Sequence, residues 1–230
     1  MADLAQIEKR ITRVRKQAKK EKAAQQELEI LEKLATALND GQTVRNIELS
    51  EDEELIVKPL GLLTKKPVIY GTNVSEDDLA EGNEWVEQVR KYATGEDAKV
   101  VIISAQVESE LVELSEEETK DFLEALGVTE GGLKSLIRAT YELLGLRTYL
   151  TTGETESRAW TIVAGMTAPQ AAGVIHTDFE KKFIKAETIG YQDLIDNGSK
   201  SAAKEKGLVR FEGKDYVVKE GDVIEFKVGG

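Results

Sequence analysis

At about 150 residues per domain, 230 residues make one large domain or two modest ones, long enough to bury a core without covalent staples. The chain has 31 basic and 43 acidic side chains, a net charge of −12 at pH 7 and a pI near 4.8. It has no cysteine and one histidine, His176, which rules out disulfides, thiolate nucleophiles, Cys-based zinc sites and multi-histidine metal centres and argues against a His-based triad. No apolar run approaches the roughly 20 residues of a membrane span, and the first residues lack a secretory pattern, so no membrane partner and a cytoplasmic location are expected.

Residues 1–22 carry eight basic and three acidic side chains, a net +5, which leaves −17 on the rest. Within them Leu4, Ile7, Ile11 and Val14 recur at helical spacing; Leu28, Leu31, Ala35 and Leu38 form a second seam out of phase with the first. Between the seams, residues 16–22 have almost nothing to bury. This predicts an antiparallel helical hairpin that ends near Asn39-Asp40-Gly41, with one bent helix as the alternative. Exposed at its tip would be Arg13, Lys16, Lys19, Lys20 and Lys22, able either to meet RNA phosphates or simply to solvate a helix face.

Residues 47–63 read as an acidic connection and a helix. Pro67–Tyr70 reads as a buried strand, with Gly71-Thr72-Asn73 as its loop. Residues 77–92 read as one helix with Leu79, Trp85, Val86 and Val89 inward. Lys99–Ser104 is the clearest strand, an unbroken apolar run of the parallel-sheet kind. Helices at 116–126 and 130–144 complete part of a doubly wound α/β sheet, two strands being too few to close one. Acidic runs at Glu51–Glu54 and Glu116–Glu118 suit solvated helix starts. From 146 onward, alternating runs at 146–152, 159–163, 183–189, 208–211, 216–218 and 223–228, with short helices near 169–173 and 199–206, predict a separate α+β module. Trp85 and Trp160 are expected in cores, and His176 in a structural, hydrogen-bonded role.

Asn73-Val74-Ser75-Glu76 follows the first α/β strand and Ser104-Ala105 ends the second; ligands collect at such strand ends. Adenine offers an amino donor and a ring-nitrogen acceptor, an edge the Asn73 amide and nearby backbone can pair with. No Gly-x-x-x-x-Gly-Lys-[Ser/Thr] occurs in the 230 residues, and no Asp-x-x-Gly; Gly213-Lys214 is followed by Asp215 and preceded by Leu208 at the first glycine position. The chain therefore has a base-reading loop without a phosphate-reading one.

Several segments carry a resemblance to the YchF, or Obg-like ATPase, family: Ala2–Arg10, Lys66–Tyr70, Asn73–Leu79, Ile137–Leu146, Arg158–Ile162, Ala168–Lys181 and Glu212–Val217. The resemblance covers essentially the whole chain. It implies a helical hairpin (coiled coil) at 1–45, the remainder of a P-loop-NTPase-type α/β nucleotide-binding domain at 46–145, and a TGS domain of ubiquitin-like β-grasp topology at 146–230. It further implies ATP as the nucleotide, with Mg²⁺ in the intact family, and association with the ribosome or ribosomal RNA. Carried over by position, Asn73 and Glu76 belong to the base motif, Val74 contacts the adenine through its backbone, and Ser104 and Ala105 form the second base-side loop. His176 lies outside the family's catalytic histidine position and inherits no such role.

The resemblance makes the chain the C-terminal two-thirds of a member, with the N-terminal half of the nucleotide-binding domain missing. The ending Phe226-Lys-Val-Gly-Gly230 also differs from the family's usual Phe-Asn-Val-like strand. On its own the chain is expected to be catalytically inactive and to bind ATP weakly or not at all, to be loosely packed or self-associated around 60–145, and to be compact beyond 146. Two other readings stand beside a ribosome- or RNA-associated unit: the C-terminal portion of an ATP- or GTP-hydrolysing enzyme, and a protein-interaction scaffold with no nucleotide.

Overall fold

The computed structural model describes residues 1–96, 98–153 and 156–229, so Gly230, the last residue of the unusual ending, lies outside them. The chain divides into two compact units, 1–135 and 136–230.

In the first unit, α1 (Ala2–Gln17) and α2 (Lys22–Asn39) share one apolar core in which Ile7, Leu31 and Leu34 are fully buried and Val14 nearly so. Residues 18–21 between them can bridge at most about 18 Å, less than the roughly 24 Å length of α1, so α2 turns back along its neighbour. Of the seams read from the sequence, Ile7, Ile11 and Val14 join this core while Leu4 does not; on α2 Leu31 is buried and Leu28, Ala35 and Leu38 are half-buried, the face being completed by Ala24, Ile30 and Leu34, which the spacing does not single out. Arg10–Glu27 (2.6 Å) and Arg15–Glu32 (3.0 Å) ion pairs link the helices outside the core. A short helix, α3 (Glu51–Val57), opens with a capping box in which Ser50 and Glu53 satisfy each other's backbone donors, and adds Val57 to the same core.

Asp3 ties the open end of the helix pair to the chain that follows. Its carboxylate is 4% exposed and accepts from the Leu63 N–H (3.0 Å), the Thr64 N–H (2.7 Å) and the Thr64 hydroxyl (2.6 Å). Burial pushes its pKa upward, but these hydrogen bonds together outweigh burial and hold it below the usual carboxylate value.

β1 (Ile69–Asn73) and β2 (Lys99–Ile103) pair in parallel with Asn73 opposite Ile103. β1 thus runs three residues past the expected end, taking in Gly71, Thr72 and Asn73. The helix expected at 77–92 is instead a single turn at Glu76–Asp78 and a separate α4 (Glu84–Thr94). The break comes at Gly82, whose φ of +84° is left-handed and whose Cβ, were there one, would lie 3.1 Å from Val86. Because α4 starts only at Glu84, its inner face carries Val86 and Ala93, and Trp85 stands 65% exposed rather than in a core. α5 (Ala105–Leu111), which the sequence pattern does not predict, follows β2 at once. α6 (Glu116–Ala125) opens with a Ser115–Glu118 capping box, and α7 (Gly132–Leu143) contains the boundary between the units. An open apolar groove of about 460 Å³, bordered by Leu111, Val112, Leu123 and Leu133, lies along α5 and α6.

The second unit carries a five-stranded sheet in the order β4-β3-β7-β5-β6. Its strands are β3 (Leu146–Thr152), β4 (Ser157–Val163), β5 (Phe183–Gly190), β6 (Arg210–Glu212) and β7 (Asp222–Val228). β3 and β7 are parallel; the other neighbours are antiparallel. Between β4 and β5 come α8 (Ala168–Ile175) and α9 (Thr177–Lys181); between β5 and β6 come α10 (Tyr191–Asn197) and α11 (Lys200–Glu205). Adjacent residues Tyr149 and Leu150, and likewise Ile224 and Val223, pack into two different cores, as strand alternation requires when both faces are covered. The buried Tyr149 hydroxyl donates to the Ala171 carbonyl (3.0 Å), fixing α8 on one face. Residues 216–218 are not a strand: Thr167 and Val217 form a lone bridge, while the Asp222 carboxylate takes the Tyr216 hydroxyl (2.7 Å) and the Lys219 N–H (2.9 Å). Trp160 is half-buried against the core, its N–H donated to the Thr151 hydroxyl. His176 is exposed; its Nδ1 accepts from the Asp178 N–H at the start of α9, a structural role as expected.

Replacing Asp3 by Ala removes the acceptor of the part-buried Leu63 and Thr64 donors, and should lower the stability of the first unit by about 1 kcal/mol at neutral pH. Because the folded carboxylate has the lower pKa, its contribution is complete above the unfolded value and is lost as pH falls through the folded one. Hydrogen exchange at Leu63 and Thr64 in both proteins should therefore differ at pH 7 and converge well below pH 4.

Candidate nucleotide-base site

Parallel pairing makes β1 and β2 leave the sheet at the same edge, so the segments after Asn73 and after Ile103 are neighbours. Two hydrogen bonds stitch them together. The Val74 N–H donates to the Ile103 carbonyl (2.8 Å), and the Asn73 Oδ1 accepts from the Ala105 N–H (2.9 Å). The structure therefore brings Asn73, Val74, Ser104 and Ala105 together, although Asn73 and Ala105 are 32 positions apart in sequence. With Oδ1 committed, the exposed Asn73 side chain keeps both Nδ2 protons without a protein acceptor among the described residues.

Ser104 is 1% exposed and acts as the N-cap of α5, its hydroxyl accepting from the Val107 N–H at 3.5 Å. What this segment can offer outward is backbone and the small exposed side chain of Ala105, not the serine hydroxyl. Gly132, at the start of α7, approaches the end of β2 so closely that a Cβ would sit 2.9 Å from the Ile103 Cα; only glycine fits there.

Glu76 begins the turn at 76–78 and is half-buried. Its carboxylate has no ion-pair partner among the described residues. A second layer, invisible to motif reading, holds this turn. Asp78 accepts from the Ser75 hydroxyl (3.0 Å) and from the Asn83 Nδ2 (2.8 Å), and the Asn83 Oδ1 caps α4 through the Trp85 and Val86 N–H groups. Ser-x-x-Asp followed by an Asn before a helix is its only trace in the sequence.

At the opposite end of β1, Glu96 accepts from the Tyr70 hydroxyl (2.5 Å), pairs with Arg45 (3.1 Å) and takes the Tyr92 hydroxyl (3.3 Å). The Tyr70 hydrogen bond, with help from Arg45, holds the Glu96 carboxyl below its usual range despite partial burial, and the same bond pushes the Tyr70 hydroxyl up.

The proposed RNA-facing residues lie at the other end of the unit's sequence. Arg13, Lys16, Lys19, Lys20 and Lys22 are all exposed and make no ion pair among the described residues, whereas Arg10 and Arg15 are paired within the hairpin. No helix among the described residues is long and apolar enough to cross a membrane.

Comparisons with known proteins agree along the chain. A family model, YchF-GTPase_C, described as a protein of unknown function (DUF933), matches residues 146–229. The ribosome-binding ATPase YchF of Bacillus subtilis is 53% identical over 230 residues, 99% of this chain and 63% of its own length. The protein of the same name from Escherichia coli O157:H7 is 48% identical over 227 residues, 98% of this chain and 62% of its own. The structure of the Schizosaccharomyces pombe YchF GTPase superposes with a TM-score of 0.83 at 36% identity, covering 98% of this chain and 62% of that one. The chain thus spans a little over three-fifths of the length of these relatives, and its mixed α/β architecture matches that of the Schizosaccharomyces pombe protein over that span.

Removing the Asn73 side chain should release the Ala105 amide. Asn73→Ala is expected to raise its hydrogen-exchange rate about tenfold, and Asn73→Asp, which keeps the acceptor oxygen, to leave it within about twofold, as read by NMR.

Proposed function

The chain belongs to the YchF family, and from that premise we propose that it is a ribosome- or RNA-contacting unit carrying the base-recognition side of an adenine-nucleotide site. The observation that carries the reading is the split among its basic side chains. Two arginines serve the hairpin internally, while Lys9 on the stem and Arg13, Lys16, Lys19, Lys20 and Lys22 toward the turn are left for an external anion. On a chain of net −12, five exposed cations within ten residues suit a phosphate backbone, with the acidic remainder suppressing indiscriminate contact. The names of the relatives, ribosome-binding ATPases, support the same partner, and a cytoplasmic location goes with it.

We take residues 1–45 as a coiled-coil hairpin, 46–145 as the remainder of the nucleotide-binding domain and 146–230 as a TGS domain. Support for the last comes from its strand order, a hairpin joined through a parallel central pair to an antiparallel edge, which is the β-grasp arrangement. The residues present fit a purine base: the Asn73 Nδ2 can donate to a ring nitrogen, the Val74 and Ala105 segment supplies backbone, and the Glu76 carboxylate can accept from an amino group. ATP, when bound, brings the triphosphate and its Mg²⁺. Among the described residues no group of three or more His, Asp or Glu side chains is arranged to hold that ion, so no step is assigned to it. The second reading, the C-terminal portion of an ATP- or GTP-hydrolysing enzyme, is favoured by the 62–63% coverage of the relatives.

The test is co-sedimentation of the chain with ribosomal particles from low to moderate salt, with and without ATP. The unaltered chain should pellet in a salt-sensitive way. Replacing Lys16, Lys19, Lys20 and Lys22 by Gln should weaken pelleting and flatten its dependence on log salt by about 0.7–0.9 for each phosphate that is no longer neutralised. Pelleting that is unchanged by the four substitutions would refute the role of the hairpin tip. ATP turnover by the chain above a no-protein control would instead favour the second reading.

A further inference from the structure

The base motif contributes two groups that a nucleobase could meet, and they are held very differently. Asn73 is locked by β1 and by the Ala105 N–H. Glu76 sits on a three-residue turn outside the sheet and carries its carboxylate on three rotatable bonds. Adenine and guanine differ on the edge a carboxylate would read. Guanine presents two adjacent donors, the ring N1–H and the 2-amino group, beside a carbonyl; adenine presents a 6-amino donor beside an unprotonated ring nitrogen. A carboxylate displaced by about 1 Å loses that distinction, because hydrogen bonds weaken steeply with distance and angle. Selectivity at this site therefore needs something to fix the turn.

Asp78 meets that need. It bridges forward to the Asn83 amide (2.8 Å) and back to the Ser75 hydroxyl (3.0 Å), spanning the residue that carries the candidate carboxylate on one side and the cap of α4 on the other. Three further constraints close the same segment: the Val74 N–H on the Ile103 carbonyl, Leu79 buried to 6%, and the Gly82 N–H on the Asp78 carbonyl (2.8 Å). Both side-chain partners of Asp78 are neutral donors, so its role is geometric and does not rest on neutralising a cation.

We propose that Asp78 is the positioning residue of the base site: by bridging Ser75 to Asn83 it sets the Glu76 turn, and with it the ratio of adenine to guanine nucleotide affinity. This rests on the base-site reading above.

Its test is an NMR titration of the full chain with ATP and with GTP, which reads dissociation constants into the millimolar range, on the unaltered protein and on Asp78→Ala, Asp78→Asn and Ser75→Ala. The unaltered chain should prefer ATP. Asp78→Ala should reduce the ATP-to-GTP affinity ratio about fivefold, the equivalent of one hydrogen bond's alignment. Asp78→Asn, which retains an acceptor for Asn83, should recover most of the ratio, and Ser75→Ala, at an exposed position, should give a smaller reduction without threatening the fold. Equal losses of both affinities, or an unchanged ratio in Asp78→Ala and Ser75→Ala, would overturn the proposal and leave the base site standing. Binding of neither nucleotide by the unaltered chain would overturn both.

Discussion

Everything at the candidate site depends on the parallel register of two five-residue strands. Parallel strands send their chains out at one edge, and the pairing of Asn73 with Ile103 makes the two exits level. A slip of one residue would turn every side chain of β1 to the opposite face and carry Asn73 away from the Ala105 N–H. The neighbouring elements are fitted to the same edge. Gly132 lets α7 approach the Ile103 backbone at a distance no other residue tolerates, and Ser104 starts α5 without an intervening loop; at the opposite end of the pair Glu96 gathers Tyr70, Tyr92 and Arg45. A stitch of two hydrogen bonds thus converts separate strand ends into a single surface.

Much of this is legible in the sequence wherever burial is periodic. The seams place most of the packed face of α1 (Ile7, Ile11, Val14) and locate that of α2 at Leu31, though its deepest neighbours Ile30 and Leu34 lie beside the predicted line, and the apolar run at 99–103 is β2. Where turn-type residues occupy a strand, periodicity fails: Gly71-Thr72-Asn73 reads as a loop, yet pairing with β2 outweighs the weak strand preference of Gly71 and Asn73, with the β-branched Thr72 between them favouring the strand. Trp85 escapes the core that periodicity assigns to it because no single helix crosses Gly82; with a left-handed residue there, the phase set by Leu79 does not continue, and the inner face becomes Val86 and Ala93. At 216–218 the alternation is real, but Tyr216 and Lys219 give their hydrogen bonds to Asp222 instead of to a ladder. The Asn73 and Glu76 positions come from a motif and a resemblance; the Asp78–Asn83 bridge behind them is local, five residues long, but leaves only a Ser-x-x-Asp and a pre-helix Asn, a pattern too common to single out.

The charge pattern gains meaning only with contacts. Counting alone gives the first 22 residues an excess of five positive charges. The structure sorts that excess: Arg10 and Arg15 face Glu27 and Glu32 across the helix pair, whereas Lys9 and Arg13 beside them and the four lysines at the turn have no such partners among the described residues. Surface ion pairs of this type contribute little to stability, but they determine which cations remain for a phosphate-bearing surface.

The Asp3 bridge has a kinetic side. Residues 3 and 64 meet across 61 positions, so joining them costs about 4 kcal/mol in loop-closure entropy, whereas the turn at 18–21 brings its two helices together almost locally. Local contacts form early and long-range ones late. The hairpin is zipped at its tip first and latched at its open end only when the chain leading into β1 has arrived, so fraying under heat begins at the latch and not at the tip.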